Sequence, residues 1–154
     1  MRKQLETYKA TRQFLLKTIN DLSVEELNKI PSGFNNNIIW NMAHLVASQQ
    51  GVCYKRAGLD LVVEEAYFQA YKPDTKPQGL AEPAEIELTK NLLISTIEQF
   101  EIDYNHQLFS RYPSWITRYG VELSSIDDAL TFLPFHEGIH FGYIMALKRV
   151  IKTP

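Results

Sequence analysis

The sequence predicts an all-α protein, a four-helix bundle of the up-down type with one long crossover loop. Four stretches carry apolar residues at helical intervals. Capping or helix-breaking residues bound these stretches, and a long proline-containing segment separates the second from the third. The 154 residues are expected to form a single domain, 1–154, because a chain of this length can bury a core without disulfides or a structural metal.

The first two predicted helices differ in character. The first covers 3–21 and is amphipathic, and a capping box that begins at Ser23 opens a short connector after it. The second covers 38–57 and ends before Gly58, because glycine suits the position after a helix C-terminus. This second helix is apolar on nearly every side, which indicates a buried element. His44 is its first ionisable residue.

The middle of the chain is less regular. The stretch 64–71 predicts a short helix, and the three prolines and one glycine that follow predict a loop. A connection this long in a helical domain is typically a crossover or a lid over a site. Pro83 suits the first turn of the third predicted helix, 84–109. The stretch 111–123 lacks a helical period and predicts an extended excursion.

The fourth predicted helix carries a histidine pair. Ser124 or Ser125 caps its start, and Pro134 predicts a kink inside it. His136 and His140 are four residues apart, so their side chains share one face of the helix. The same face carries apolar residues, namely Ala129, Leu133, Ile144 and Leu147. The two imidazoles therefore point into a core and are placed to hold one metal ion.

The letters H-E-x-x-H at 136–140 also match the zinc peptidase motif, in which the glutamate is the general base. That motif needs a third ligand, and 141–154 contains no His, Asp, Glu or Cys. A third ligand must come from upstream, which argues against a peptidase. Glu137 lies at the flank of the histidine face and is a candidate catalytic base. A solvated position, or one behind the ligands, is the alternative that the helix geometry favours.

His44 is the candidate third ligand, because a four-helix bundle brings inward-facing side chains within reach of one another. Three imidazoles with one open position form the arrangement of catalytic zinc. The alternative is that all three histidines are core residues satisfied by carbonyl groups. Trp40 and Ser48 are expected to line the adjoining pocket. Tyr143 is a candidate catalytic residue, since its hydroxyl could donate a hydrogen bond to a developing oxyanion.

Composition excludes several classes of protein. The net charge of −2 gives no basic field for nucleic acid. No apolar run approaches the length of about 18 residues needed for a membrane span, and 1–13 is too polar for a secretory signal. A cytoplasmic protein is therefore expected. Cys53 is the only cysteine, so it has no disulfide partner within the chain, and a buried, inert thiol is expected.

The segments NNIIWNMAHLVASQQ and LSSIDDALTFLPFHEGIHFGYIMALKR, with their separation, resemble the DinB-like (damage-inducible, YfiT-like) metalloenzyme superfamily. The resemblance implies a four-helix bundle whose metal ligands match His44, His136 and His140. It also implies zinc or nickel, frequent homodimers and, in some branches, transfer of low-molecular-weight thiols such as bacillithiol, glutathione or mycothiol onto electrophiles. One departure is Tyr143, which stands where many relatives have glutamine.

The functional prediction is a metal-dependent enzyme with an open three-histidine centre for a divalent metal. A small-molecule substrate is expected. The expected reaction is the transfer of a low-molecular-weight thiol by a transferase, and the other possibility is hydrolysis. The alternatives are a metal-binding or stress-response bundle protein without turnover, and a bundle whose histidines only fill the core. Gly138 and Gly142 lie opposite the histidines and predict a groove for helix one or a second subunit. A homodimer is expected, with neither nucleic acid nor a membrane as partner.

Overall fold

The computed structural model describes residues 2–153 and is mostly helical, which confirms the all-α prediction. The helices are α1 (Arg2–Ile19), α2 (Val24–Asn28), α3 (Ile38–Gln49), α4 (Glu65–Tyr71), α5 (Pro83–Asn105) and α6 (Ile126–Lys152). Two short strands, β1 (Trp115–Ile116) and β2 (Glu122–Leu123), pair antiparallel. Within the described residues, no helix combines the length and apolar character that crossing a membrane requires.

Local hydrogen bonds explain where the helices begin. Ser23 caps α2 through both bonds of the predicted capping box. The Asn37 side chain caps α3 by accepting from the backbone N–H of Trp40. Ser125, rather than Ser124, is the cap of α6. Pro83 occupies the first turn of α5, where its missing N–H leaves no helix hydrogen bond unmade.

The second predicted helix is not α-helical throughout. After α3 the chain continues as a π-helical segment, Gln50–Lys55, before Gly58 ends it at a φ of +71°. The backbone N–H of Arg56 donates to the carbonyl of Gly51, five residues earlier, at 3.1 Å. The sequence does not reveal this widening, because π- and α-helices differ in hydrogen-bond pattern and not in apolar character.

The long helices form one packed unit. Helix α3 packs against α5 and α6, and α1 packs against the same two helices. Every residue of α3 is buried, which confirms the expected buried second helix. On α1 the apolar pattern includes Phe14, but this side chain is 58% exposed and its ring packs against Phe141 instead of the core.

The excursion at 111–123 contains a hairpin that the sequence analysis did not predict. Trp115 pairs with Leu123 and Ile116 with Glu122, and the turn between the strands includes Gly120 at a φ of +77°. Strands of two residues are too short to show the alternating pattern that identifies a strand in a sequence. The hairpin places Trp115 and the turn residues beside the histidines, where they line a cavity described below.

One buried arginine connects the four long helices. Arg12 of α1 is 0% exposed, and its Nε donates to Glu137 Oε1 of α6 at 2.8 Å. The guanidinium also donates to the carbonyl of Leu45 on α3 at 3.1 Å and to that of Leu93 on α5 at 3.0 Å. Three side-chain oxygens complete its contacts, those of Tyr8, Gln49 and Thr96.

Glu137 is not solvated, so the solvated half of the alternative from the sequence is wrong, and a position behind the histidines stays a prediction. The residue is 1% exposed and its carboxylate lies 2.7 Å from the second amino group of Arg12. Burial raises the pKa of Glu137, and the positive charge of Arg12 opposes that rise. An ion pair so deeply buried persists only when charge pairing and hydrogen bonds compensate for lost hydration. The contacts of Arg12 provide that compensation at Oε1 of Glu137, whereas Oε2 has no hydrogen-bond partner among the described residues.

We expect Arg12→Met to lower the free energy of unfolding by about 3–5 kcal/mol, because it leaves the carboxylate of Glu137 buried without a partner. The double variant Arg12→Met/Glu137→Leu removes that charge and should recover part of the loss. Urea unfolding of wild type, both single variants and the double variant measures the coupling. Strictly additive effects would show that the two side chains do not stabilise each other.

Candidate metal centre

Helices α3 and α6 bring three histidines together. His44 comes from α3, and His136 and His140 come from successive turns of α6. One ring nitrogen from each residue lies within 4.8 Å of the other two. The ring of His44 is centred 5.4 Å from that of His136 and 4.6 Å from that of His140. The structure thus assembles the three candidate ligands that the spacing and the resemblance indicated.

The hydrogen bonds of His44 fix its tautomer. Its Nδ1 lies 2.7 Å from the carbonyl oxygen of Tyr71, and a carbonyl can only accept, so Nδ1 carries the proton. Nε2 therefore holds a lone pair, which accepts from the Ser48 hydroxyl at 3.0 Å. The lone pair can bind a metal ion once the Ser48 hydroxyl no longer donates a hydrogen bond to it.

His140 is oriented in the same way by a side chain of α3. Its Nδ1 lies 2.9 Å from Asn41 Oδ1. The amide nitrogen of Asn41 donates to Asn36 Oδ1 and to the carbonyl of Asn37, which turns the amide oxygen toward the histidine. Nδ1 of His140 is therefore the donor, and Nε2 is left with its lone pair. Such bonds hold metal-binding imidazoles in position in known metal sites.

His136 lacks such a partner. Its Nδ1 is buried and has no hydrogen bond to any residue in the described part of the chain. A buried nitrogen without a partner costs free energy, and this loss is avoided if a further group binds that nitrogen. Two oriented lone pairs beside an unsatisfied imidazole fit a divalent metal that favours nitrogen ligands.

Burial also keeps the histidines neutral. It lowers the pKa of His136 to about 4, with smaller contributions from His44 and two arginines. Burial likewise lowers the pKa of His140 to about 3, and that of His44 below its usual value. The three rings are then uncharged at neutral pH, which is the state that coordinates a metal.

The three rings line a cavity of about 780 Å³. Trp40 and Ser48 lie in its wall, as the sequence predicts, and Trp40 stacks on His44 with ring centres 4.7 Å apart. Other aromatic side chains in the wall are Phe68, Trp115, Tyr119 and Phe132. The charged residues in the wall are Lys55, Arg56, Asp74 and Arg118. The cavity is large enough for a small organic ligand beside the histidines.

Two candidate catalytic residues are not in this wall. Tyr143 packs edge-on against Phe34, with ring centres 5.5 Å apart. Glu137 is held by Arg12 on the inner side of α6. Cys53 is fully buried, as expected, and burial raises the pKa of its thiol well above its usual range.

Sequence reasoning missed the groups that orient the ligands. Asn41 could have been noticed, because it is a polar residue on a predicted buried helix and lies three positions before His44. The carbonyl of Tyr71 could not be identified from the sequence, since every residue has a backbone carbonyl. The long connection contributes further, because Thr75 accepts a hydrogen bond from the Trp40 indole at 3.3 Å. The connection therefore forms part of the site.

Comparison with known proteins assigns the family. The family model described as the DinB superfamily matches residues 7–144, a range that contains all three histidines. A search of curated proteins gave no match. The matched range covers most of the chain and coincides with the helical fold and the histidine cluster. The chain therefore belongs to the DinB superfamily.

Proposed function

We propose that this protein is a metal-dependent enzyme acting on a small molecule. His44, His136 and His140 would hold a divalent metal, zinc or nickel, with one coordination position open to the cavity. The observation that carries this proposal is the convergence of three ring nitrogens within 4.8 Å at the cavity wall. We further infer that α1, α3, α5 and α6 form a four-helix bundle of the up-down type, with 59–82 as the crossover between α3 and α5.

His44, His136 and His140 would hold a divalent ion, which would supply Lewis acidity and so bring the pKa of a water or thiol toward neutrality. The protein orients the imidazole rings. Tyr71 and Asn41 hold the proton on Nδ1 of His44 and His140, so that both Nε2 atoms stay free of protons. Trp40 covers one face of His44 and limits the access of bulk water.

Ser48 has a second role in this proposal. Its hydroxyl donates to Nε2 of His44 when that nitrogen is not coordinating. If Nε2 held a metal ion instead, the Ser48 hydroxyl would be free to donate to a substrate atom in the cavity whose wall it lines. Ser48 is buried, so few other partners compete for that hydroxyl.

Two reaction classes are compatible with the proposed metal centre. We favour transfer of a low-molecular-weight thiol to an electrophile, with hydrolysis as the second possibility for the same centre. The cavity supports turnover over simple metal storage, because a storage site needs no space for an organic ligand. A metal-binding or stress-response protein without turnover is the competing proposal, and it requires that neither thiols nor substrates bind at the metal.

The catalytic roles of Tyr143 and Glu137 stay predictions. Tyr143 would have to turn away from Phe34 to reach the cavity, and Glu137 would have to leave Arg12. Tyr143→Phe tests the first role, since loss of its hydroxyl alone should reduce turnover while metal content stays the same. Unchanged turnover would limit Tyr143 to packing.

We also propose a homodimer through the outer face of α6. A β-carbon added at Gly138 or at Gly142 would have no other group within 4 Å, so α1 does not fill this groove. Phe14 and Met145 are more than half exposed beside it. An open groove flanked by apolar side chains allows close approach of a second copy of the chain.

The metal ligands are tested by elemental analysis of untagged protein. Wild type should retain one equivalent of zinc or nickel after dialysis, whereas His44→Ala, His136→Ala and His140→Ala should each retain less than about a tenth. Loss of a group that orients a ligand already costs about 10–100-fold in affinity. The control is His106→Ala, which removes an exposed histidine outside the cluster. Equal metal content in all five proteins would rule out this site.

The pH dependence of the metal-free protein follows from the histidine pKa values. An unfolded histidine has a pKa of about 6.5, while His136 and His140 have values of about 4 and 3 when folded. Between these values the unfolded chain binds more protons. Stability is therefore full above pH 6.5 and falls as the pH drops toward 4, by about 1.4 kcal/mol per pH unit for each histidine.

Urea unfolding between pH 7 and pH 5 measures this slope. His140→Leu should flatten it, because one of the titrating groups is gone. Identical slopes in wild type and His140→Leu would show that His140 is not held neutral by the fold.

The dimer is tested by light scattering after size exclusion. Wild type should elute with twice the monomer mass, and Gly142→Leu should shift it to the monomer, because the added side chain fills the groove. The substitution meets nothing within the subunit at its β-carbon, so the monomer should stay folded. Asn91→Leu places the same side chain on an exposed position of α5 and should remain dimeric. A monomeric wild type would contradict the dimer.

A further inference from the structure

The cavity beside the histidines has a positive balance of charge. Its wall contains three basic side chains, Lys55, Arg56 and Arg118, and one acidic side chain, Asp74. A divalent ion at the histidines would add two more positive charges. The chain as a whole has a net charge of −2. The cavity wall is therefore positive on balance, although the net charge of the chain is negative.

Two of the three basic residues are already paired. Lys55 lies 3.3 Å from Glu65, and Arg118 lies 3.2 Å from Asp74. Arg56 differs, because the ion pairs found between residues 2 and 153 do not include it. A guanidinium without a carboxylate partner at the wall of a cavity is available to a ligand.

Arg56 is nevertheless held in place. Its guanidinium carbon lies 4.2 Å from the centre of the Trp115 ring, a cation–π contact. The Trp115 indole donates to the hydroxyl of Tyr112 at 2.8 Å, and that hydroxyl donates to the carbonyl of Val52 at 2.8 Å. Because a stacked guanidinium is held by its face, its N–H edges are left to bind an anion.

Arg56 is also distant from the metal ligands. It lies twelve residues after His44, beyond the ends of α3 and the π-helical segment, so about three helical turns separate the two backbone positions. Both residues line the one cavity. A ligand that reaches both must carry its anionic group well away from its reacting atom.

We propose that Arg56 is the specificity-determining residue of this site and binds a terminal carboxylate or phosphate of an elongated small-molecule substrate. This inference rests on the proposed function, because the opposite end of the substrate reacts at the histidines. Carboxylate and phosphate share the paired oxygens that a guanidinium binds with two N–H groups. Trp115 acts as a positioning residue, since it fixes the plane of that guanidinium.

The test uses two matched pairs of thiols as probes. Glutathione carries carboxylates that its diethyl ester lacks, and 4′-phosphopantetheine carries a phosphate that pantetheine lacks. Each probe is titrated into the metal-free protein and into protein loaded with cobalt. Both tryptophans of the chain, Trp40 and Trp115, line the cavity and report binding by fluorescence. Cobalt adds a thiolate absorption band when sulfur reaches the metal.

We expect wild type to bind at least one of the anionic thiols about tenfold more tightly than its neutral counterpart, as a charge-assisted pair of hydrogen bonds predicts. The preferred pair distinguishes carboxylate from phosphate. Arg56→Gln should reduce the ratio to about one while leaving the affinity for the neutral thiols unchanged. Arg149→Gln makes the same change of charge at an exposed position at the end of α6 and should keep the wild-type ratio.

The outcomes separate this inference from the proposed function. A wild type that does not distinguish anionic from neutral thiols in either form, or an Arg56→Gln variant that keeps the ratio, would overturn the role of Arg56. Absence of cobalt binding would contradict the metal centre instead, and the fluorescence titration of metal-free protein would still decide the role of Arg56.

Discussion

The ion pair between Arg12 and Glu137 sets the geometry on which the histidine site depends. A buried guanidinium needs acceptors for its N–H groups, and here three other helices provide them. One acceptor is the carbonyl of Leu45, the residue after His44, and another is Glu137, the residue after His136. The hydrogen bonds that satisfy Arg12 therefore also fix how α3 and α6 are rotated about their own axes. That rotation decides which way the histidines point.

The long helices and the connections contribute different things to the site. Helices α3 and α6 provide the ring nitrogens, and their positions are fixed by the packed core. The connections provide a backbone acceptor at Tyr71 and much of the opposite wall, including Asp74 and residues 115–119. Connections vary more readily than a packed core. A common helical fold can thus keep its histidine cluster while its connections change the shape and chemistry of the cavity beside it.

Sequence periodicity was sufficient to predict that the three histidines are at least partly buried, and insufficient to predict the residues that surround them. His136 and His140 share an apolar face, so the direction of their side chains was readable, and His44 lies on a helix that is apolar all round, so its burial was readable. Arg12 was not, because charged side chains are mostly exposed and its partner is 125 residues away in the sequence. The hairpin and the π-helical segment were missed because neither has a pattern of apolar residues of its own. Contacts between distant residues decide these features.

The net charge of the whole chain is a poor guide to the charge that a ligand meets in the cavity. A charge of −2 excludes a basic field over the whole surface, yet the cavity wall contains three basic side chains and one acidic side chain. At physiological salt, charges more than about 8 Å apart are largely screened in solvent. A ligand inside the cavity therefore responds to Arg56 and its neighbours rather than to the chain as a whole. A cavity that is positive on balance raises the local concentration of small anions at that one place.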